Sequence, residues 1–366
     1  MEYDKIHIVA SQSLKDLRAH EKPWNDLLNK CPDASPMQSY AWTYSYCKYA
    51  IKDTMNWICL FAYEGNKLVS AYPLIYSNKK GIPGFYFQVF KSPYDMFHTV
   101  RVDGLILEGY KEVLVLFFNH IYSKFNVYPV IKIISNPDYS TSFRCFKQGN
   151  KKLTFLRIEN GIEEVISLKK GLENYLSELS PKFKREIKRR KRRLHENFQI
   201  RYLSSWGENH KSNKEYFAEF LDIENSGWKG KKGTSLKKLP KASEFLSNLT
   251  QNLANNGWLL WNLLEADKKV IAIQLYLILN KTAYLLKVAY REEYSSYAPG
   301  HLLFFKFIEN CHSKSNIKYI NLLSKRSWHK SWEPREYKLY NIMIMPKKGL
   351  YGPLIKIIYQ TKKLLF

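Results

Sequence analysis

The sequence predicts an α/β (α+β) protein of two domains, each with a mixed, largely antiparallel sheet flanked by helices. A chain of 366 residues is too long for one small core and fits two domains of ordinary size. Both halves alternate short apolar runs with helical patterns. A turn signal at Asn160 and Gly161 separates them, and the positive charge rises beyond it. We therefore predict domains at 1–160 and 161–345, followed by a basic amphipathic tail at 346–366.

The first half contains a hairpin and a helical crossover. In NWICLFAYEGNKLVSAYPLIYS two apolar runs flank Gly65 and Asn66, a pattern typical of a β-hairpin. The segment EVLVLFFNHIYSKF predicts a helix, and YPVIKIIS predicts a strand that Pro137 and Asp138 close.

The second half begins with the strand EEVISL and two helices. The second of these helices starts at Ser180 and Pro181, which supply a capping hydroxyl and a proline in the first turn. Phe183, Ile187 and Leu194 share one face of it, and lysines and arginines cover the rest. This helix is therefore amphipathic and strongly cationic.

A further helix, at about 213–225, precedes a glycine-rich loop. Its spacing puts Glu224 on the same side as Phe217, Phe220 and Leu221, so that a carboxylate shares the apolar face. The loop SGWKGKKGTS follows. It is not a nucleotide-binding P-loop, because Thr234 stands where that motif requires lysine.

Three apolar runs then predict an antiparallel meander, with short turns at Asp267 and Asn280. They are WLLWNLLEA, KVIAIQLYLIL and TAYLLKVAY. The segment REEYSSYAPG leads from the third run into the helix HLLFFKFIENC and the strand KYINLL. A helix that starts after a strand and a glycine-containing loop presents free backbone amides to an anion.

The composition argues against several classes of protein. Five scattered cysteines predict neither a disulfide framework nor a structural zinc site, and no histidine pair has metal-binding spacing, so we expect no metal. The amino terminus lacks the apolar core of a secretory signal, and no window approaches eighteen apolar residues. We therefore expect a cytoplasmic protein.

The positive charge leaves several partners open. The net charge is +25, and nine of the twelve residues from Lys182 to Arg193 are basic. This cationic helix, 181–197, can touch phosphates of a donor, dock an acidic acyl carrier protein or a transfer RNA, or form a solvated face. The tail, GLYGPLIKIIYQTKKLLF, has no acidic residue. It can contact the inner face of a membrane peripherally, or it can pack as a terminal helix.

Four blocks in a fixed order resemble one family. LSPKFKREIKRRKRRL, IENSGWKGKKGTSL, KVIAIQLYLIL with TAYLLKVAYREEYSSYAPGHLLF, and INLLSKRSWHKSW are similar to the CelD-like acetyltransferases of polysaccharide biosynthesis. That family is a branch of the GNAT superfamily related to the Fem aminoacyl transferases. The resemblance spans about residues 175 to 335. It implies two tandem GNAT-like domains, of which the first is degenerate and lies on the acceptor side, and the second binds an acyl-CoA, most readily acetyl-CoA.

The resemblance also implies where the donor lies. The pyrophosphate of the donor would meet the start of the helix after the meander, which gives six cofactor-binding candidates: Tyr297, Ala298, Pro299, Gly300, His301 and Leu302. One departure is Asn321, which stands where the resemblance leads us to expect an acidic residue.

Two residues are candidates for catalysis. Glu224, among apolar side chains, can act as a general base with a raised pKa, or it can simply pair with a lysine such as Lys229. Lys287 lies within the third strand of the meander and faces either a cleft or solvent. The resemblance favours the cleft, and it implies further substrate-binding candidates: Trp228, Lys229, Tyr290, Lys330 and Trp332. His329 is a lone histidine, and nothing nearby supplies a nucleophile and a carboxylate in the arrangement of a triad, so no catalytic triad is predicted.

These observations predict an acyl-CoA dependent N-acyltransferase that acts on an amino sugar or a related small acceptor. The amine attacks the thioester directly, with help from a general base. Two alternatives stay open. One is a Fem-like transferase that uses aminoacyl transfer RNA, and the other is a nucleic-acid binding protein without catalysis.

Overall fold

The computed structural model describes residues 5–77, 87–93, 103–147, 152–206, 210–314 and 316–347. The described residues form two units. Gly161 ends the first segment of the first unit, which the chain re-enters at Lys338, and Ile162–Tyr337 forms the second unit. Nearly all of the predicted tail, 348–366, lies outside the described residues. No helix within them is long and apolar enough to cross a membrane.

The first unit is a mixed sheet with helices. Its strands are β1 (Ile6–Ser11), β2 (Asn56–Glu64), β3 (Lys67–Tyr76), β4 (Phe87–Lys91), β5 (Leu105–Ile106), β6 (Tyr128–Pro137) and parts of β7 (Leu153–Ser167) and β13 (Arg335–Pro346). Its helices are α1 (Leu14–Arg18), α2 (Glu21–Lys30), α3 (Tyr40–Ser45), α4 (Val113–Phe125) and α5 (Thr141–Lys147), with a 3-10 turn at Pro36–Gln38 and a π-helical turn at Tyr46–Ala50. The strand order is β1-β2-β3-β4-β6-β13-β7, and β5 pairs with β3.

The second unit repeats this organisation. Its helices are α6 (Leu172–Glu178), α7 (Pro181–Asn197), α8 (His210–Ser226), α9 (Trp228–Lys231), α10 (Pro240–Asn255) and α11 (Pro299–Lys314). Its own strands are β8 (Ile200–Ser205), β9 (Leu259–Ala266), β10 (Lys269–Leu279), β11 (Thr282–Tyr290) and β12 (Tyr319–Asn321), and 3-10 turns occupy Leu236–Lys238, Glu292–Tyr297 and Ser327–Trp332. The strand order is β7-β12-β11-β10-β9-β8.

Among the strand pairings that the structure describes, each unit has one parallel pair, and the others are antiparallel. In the first unit β4 and β6 are parallel, and α4 crosses between them. In the second unit β11 and β12 are parallel, and α11 crosses between them. The duplicated pattern of antiparallel strands, helix and parallel strand confirms the predicted fold class.

Most predicted elements of the second unit form as expected. The Ser180 hydroxyl accepts a hydrogen bond from the Phe183 amide, which caps α7, and Ile187 and Leu194 are buried on its inner face. The meander β9-β10-β11 is antiparallel throughout. The strand predicted for KYINLL is shorter, because Leu323 adopts a left-handed conformation with φ of 62° and ends it.

The core of the second unit is dense and aromatic on the face that α11 covers. Trp332, Phe304 and Tyr276 have no exposed surface, and Tyr276 stacks on Phe307 with the ring centroids 3.9 Å apart. Such close packing fixes α11 against β10 and β11. The start of α11 and the end of β11 are therefore held firmly in place.

Candidate active site

The sheet of the second unit opens between its two parallel strands. Residues 282–284 of β11 pair with residues 319–321 of β12, but β11 continues to Tyr290 without a β12 partner in this register. Beyond Asn321 the chain turns away: the Leu322 amide donates to the carbonyl of Glu164, and the Leu323 amide donates to the Asn321 side chain at 2.7 Å. We call the opening, bounded by residues 285–290 and 322–324, the fork.

A β-bulge lies on the β11 side of the fork. Leu275 pairs with Lys287 and Tyr276 with Leu285, so the register gives Leu286 no partner on β10. A bulge turns backbone groups and side chains out of their regular directions. Because this edge of β11 also lacks β12, its backbone can hydrogen-bond to a molecule that enters the fork.

The structure brings two of the predicted residues to this edge. Lys287 is half-buried within the bulged segment, and Tyr290, at the end of β11, is 42% exposed. Lys287 thus lies at the fork and not on a separate surface of the unit. Its predicted catalytic role stays a prediction.

The predicted anion site at the start of α11 is narrower than expected. The carbonyl of Ala298 accepts the amides of both His301 and Leu302, at 3.0 and 3.1 Å. The Ala298 amide donates to Ser295, and Pro299 has no N–H. Among the described backbone hydrogen bonds at this turn, none occupies the amide of Gly300. The expectation that His301 and Leu302 offer free amides is therefore wrong, and the predicted anion site is reduced to the amide of Gly300.

The side chain of His301 also points away from an anion site. Its ring stacks on Trp332 at 5.8 Å and lies edge-on to Trp328 and Phe183 at 5.7 and 6.0 Å. Burial, with a smaller contribution from the charge of Arg190, lowers the His301 pKa to about 4. A neutral ring inside an aromatic cluster does not bind phosphate, so the side chain of this predicted cofactor residue is a packing group.

The cationic helix α7 supplies positive charge beside the turn. The Arg193 guanidinium lies 5.5 Å from the centroid of the Tyr297 ring, and Arg190 is close enough to act on the His301 pKa. Glu186 pairs with Arg190 and with Arg189. Arginine suits phosphate because its planar fork makes two parallel hydrogen bonds. The inner side of α7 therefore complements an anion at Gly300.

Glu224 anchors the glycine-rich loop. It is 5% exposed; its Oε1 accepts from the Lys229 Nζ at 2.5 Å, and its Oε2 accepts from the Leu236 amide at 2.8 Å. Both oxygens are thus bound to the loop that follows. The pairing with Lys229, which the sequence left open as the structural alternative, is the one observed.

The same segment, predicted as a loop but containing the short helix α9, exposes Trp228; we call this segment the Trp228 loop. The Trp228 side chain is 56% exposed, and the Lys232 Nζ lies 5.4 Å from its ring centroid. The Trp228 amide donates to the carboxylate of Glu292, which also accepts from Lys231 at 2.6 Å. Glu292 follows Tyr290 by two residues in the chain. Glu292 therefore joins the segment that contains Trp228 to the turn that follows β11.

Comparison with known proteins agrees with this geometry. Residues 181–338 match the family of the acetyltransferase (GNAT) domain. This match assigns residues 181–338, less than half of the chain, to a GNAT acetyltransferase domain, which is typical of an acyltransferase. The matched segment includes the fork, the start of α11, the cationic helix and the Trp228 loop. A comparison of the sequence with curated proteins finds no match.

Solved structures share the fold over both units. A FemX structure has a TM-score of 0.61 at 10% identity and covers 96% of this chain and 99% of its own. A conserved protein of unknown function from Bacteroides thetaiotaomicron has a TM-score of 0.54 at 12% identity, covering 93% and 100%. The C-terminal domain of a putative lysylphosphatidylglycerol synthetase from Agrobacterium fabrum has a TM-score of 0.51 at 10% identity, covering 93% and 95%. Such identities show the fold alone, and none of these findings singles out the CelD-like branch.

Two predicted substrate residues of the GNAT domain lie in its last 3-10 turn. Lys330 is exposed there. Trp332 has no exposed surface, its ring packs edge-on to Phe183 and Phe304, and its carbonyl accepts from the Tyr175 hydroxyl at 2.7 Å. A fully buried indole does not contact substrate, so the substrate-binding prediction for Trp332 is corrected to a packing role.

The sequence missed a buried carboxylate–histidine hydrogen bond at the fork. Glu164 and His329 are 3% and 2% exposed, and the His329 Nδ1 lies 2.5 Å from the Glu164 Oε2. The His329 ring also hydrogen-bonds the backbone of Ser324. Burial lowers the His329 pKa, and the Glu164 carboxylate opposes that effect. Because 165 positions separate the partners, local spacing gives no signal, and only the pairing of β7 with β12 brings them together.

The preceding residue of β7, Glu163, lies beside the Glu164–His329 pair in the sheet. Glu163 is 1% exposed, and its Oε2 accepts from the Asn321 Nδ2 at 3.3 Å. Asn321, the departure from the expected acidic residue, therefore binds a carboxylate supplied by β7. Two consecutive buried glutamates in a strand would be hard to infer from sequence, since side chains alternate between faces. Among the described residues no cluster suited to hold a metal ion is present.

Proposed function

We propose that this protein is an acyl-CoA dependent N-acyltransferase that acts on an amino sugar or a related small acceptor in polysaccharide biosynthesis. The observation that supports it best is the fork, where β11 continues from the bulge at Leu286 to Tyr290, next to Gly300, beyond the residues that pair with β12. An extended thioester donor needs such an edge. Its polar phosphates need a helix start with nearby cations, and both are present here.

The donor side of the proposal uses the chain's own groups. The Gly300 amide at the positive end of α11 meets a phosphate, with Arg190 and Arg193 of α7 alongside. The acyl chain lies along β11, and a backbone amide of the bulged segment polarises the thioester carbonyl. The acceptor amine attacks that carbon, the C–N bond forms, and the C–S bond breaks to release the thiol.

The acceptor side uses the exposed aromatic rings. Trp228 and Tyr290 are 56% and 42% exposed, and Lys229 and Lys232 lie around Trp228. A flat aromatic face suits the apolar face of a sugar ring, while the ammonium groups suit a phosphorylated sugar. Glu224 holds this loop through Lys229. In this scheme the attacking amine gives its proton to water. Lys287 lines the fork.

A direct assay tests the proposal. The purified full chain is incubated with acetyl-CoA and a panel of nucleotide-linked amino sugars, and the released thiol and the mass of the acetylated sugar are measured. We expect acetyl transfer to an amine, with the Michaelis constant for the sugar raised by Trp228→Ala and that for acetyl-CoA unchanged. Failure of the wild-type chain to bind CoA would overturn the proposal.

A Fem-like use of aminoacyl transfer RNA is the alternative that the cationic helix α7 supports. Lys182, Arg185 and Lys188 are exposed on its outer side. Binding measured at rising salt separates the two donors. Affinity for transfer RNA should fall by orders of magnitude as each phosphate contact releases counterions, whereas CoA in a shaped site should lose much less.

A further inference from the structure

A buried amide on β10 contacts the residue at which we place the donor phosphate. The Gln274 side chain has no exposed surface, and its Nε2 donates to the carbonyl of Gly300 at 3.2 Å. That carbonyl also lies in the first turn of α11, which begins at Pro299. Gln274 is therefore the sheet residue that holds the first turn of α11 by a side-chain hydrogen bond.

The orientation of this amide is fixed by a second buried group. The Tyr276 hydroxyl donates to the Gln274 Oε1 at 2.9 Å. The reversed amide would set its oxygen against the Gly300 carbonyl, and two acceptors cannot form a hydrogen bond. Tyr276 stacks on Phe307 of α11, and burial raises its pKa well above 10, so its hydroxyl keeps the proton. The connection therefore runs from Tyr276 through Gln274 to Gly300.

The Tyr290 ring, at the end of β11, lies beside Gly300. A side chain built at Gly300 would have the Tyr290 ring as its nearest neighbour, 3.8 Å away. This spacing is ordinary contact, so the position is not kept as glycine by crowding. What distinguishes it is that its amide has no backbone partner at the turn while its carbonyl is bound from the sheet.

A buried glutamine between a sheet and a helix stabilises the fold less readily than an apolar side chain would. Removing an amide from water disfavours folding unless both of its ends are paired, and an apolar side chain would pack this interface at lower risk. Here both ends are paired, and the pairing fixes one residue of a helix start. We infer that Gln274 is a positioning residue for the donor site, which sets the Gly300 amide toward the donor phosphate. This inference rests on the proposed function, because it assumes that the donor phosphate binds at Gly300.

The chain offers a matched control in the same row of the sheet. Asn262 on β9 pairs with Gln274 in the register, so the two side chains share one face. Asn262 is 1% exposed, and its Oδ1 accepts from the Ser204 hydroxyl at 2.8 Å. Asn262 is therefore also a buried amide on that face, but the hydrogen-bond partner of its Oδ1 lies on β8 and not on α11.

The experiment compares CoA binding by the wild-type chain, Gln274→Leu, Asn262→Leu and Tyr276→Phe, using titration calorimetry with CoA itself as the probe. For Gln274→Leu we expect the dissociation constant to rise about tenfold, the effect of one hydrogen bond. The turnover number at saturating acetyl-CoA should change little. Asn262→Leu should bind CoA as the wild type does, even though its melting temperature falls.

If Gln274→Leu does not fold, Tyr276→Phe serves as the second variant, because it removes only one hydroxyl from a packed ring. It leaves the Gln274 amide without its second partner, so we expect a rise of about threefold to fivefold in the CoA dissociation constant. Equal CoA affinity in Gln274→Leu, Tyr276→Phe and the wild type would overturn the inference while leaving the proposed function intact. An equal loss in Asn262→Leu would also overturn it, since the effect would then be a general one of the sheet. A wild-type chain that does not bind CoA would overturn both.

Discussion

The His301 imidazole should make the second unit sensitive to acid, and its replacement by phenylalanine should remove that sensitivity. The ring is enclosed by Trp332, Trp328 and Phe183, and its Nδ1 is buried without a hydrogen-bond partner among the described residues. Protonation would place a charge in an apolar cluster beside Arg190. These are the two causes that lower the His301 pKa from 6.5 to about 4, burial being the larger.

The size of the expected stability loss follows from the difference between the His301 pKa in the folded and unfolded chain. The unfolded chain takes up this proton near pH 6.5 and the folded chain only near pH 4, so the neutral ring stabilises the fold above pH 6.5. That contribution is lost as the pH falls through this interval, at about 1.4 kcal/mol for each pH unit, or roughly 3 kcal/mol in all. The phenylalanine in His301→Phe fills a similar volume and binds no proton, so this variant should not lose stability for this reason as the pH falls.

Urea unfolding followed by tryptophan fluorescence, from about pH 8 to about pH 4.5, measures this difference. We expect the unfolding free energies of the wild type and His301→Phe to be similar at the alkaline end and to diverge steadily below pH 6.5. The matched control is His195→Gln, because His195 lies exposed on α7. Parallel curves for the wild type and His301→Phe would refute the reasoning and show that the ring is protonated as easily in the fold as outside it.

Three further predictions concern the site itself. Glu224→Gln and Lys229→Met should lower activity by similar factors at every pH, because both release the same loop; a loss in Glu224→Gln alone, largest at alkaline pH and shrinking toward low pH, would identify Glu224 as a general base. Trp228→Ala should raise the Michaelis constant for a sugar acceptor about tenfold or more and leave that for acetyl-CoA unchanged, as steady-state kinetics with each substrate varied would show. Gly300→Val should weaken CoA binding about tenfold or more in calorimetry, because a β-branched side chain beside Tyr290 narrows the approach to the amide; unchanged affinity would place the donor elsewhere.

Periodicity and turn chemistry were sufficient to predict much of the second unit. The meander, the cap at Ser180 and the apolar face of α7 all follow from short-range pattern, and the structure confirms each. The start of α11 was predicted to bind an anion through a window of six residues. The sequence could not predict that the His301 and Leu302 amides are occupied, since the carbonyl that they share belongs to Ala298 in a left-handed conformation.

Long-range pairing marks the limit of what the sequence could predict. The Glu164–His329 pair depends on β7 lying beside β12, and β7 itself contains the boundary between the units. The burial of Trp332 was missed for a related reason. Its neighbour Lys330 is exposed, so the local sequence looks like a surface turn, and only the packing of α7 and α11 places the indole in the core.

Glu292 connects the Trp228 loop with the turn that leads to Gly300. Its carboxylate accepts from Lys231 and from the Trp228 amide in the loop assigned to the acceptor, and Lys231 is the main cause of its lowered pKa. Its backbone begins the 3-10 turn that leads to Gly300, where the donor phosphate is placed. A substitution at Glu292 therefore disturbs both loops at once. Under the proposed function, we expect substitutions that affect one substrate selectively at Trp228 on one side and at Gly300 or Gln274 on the other.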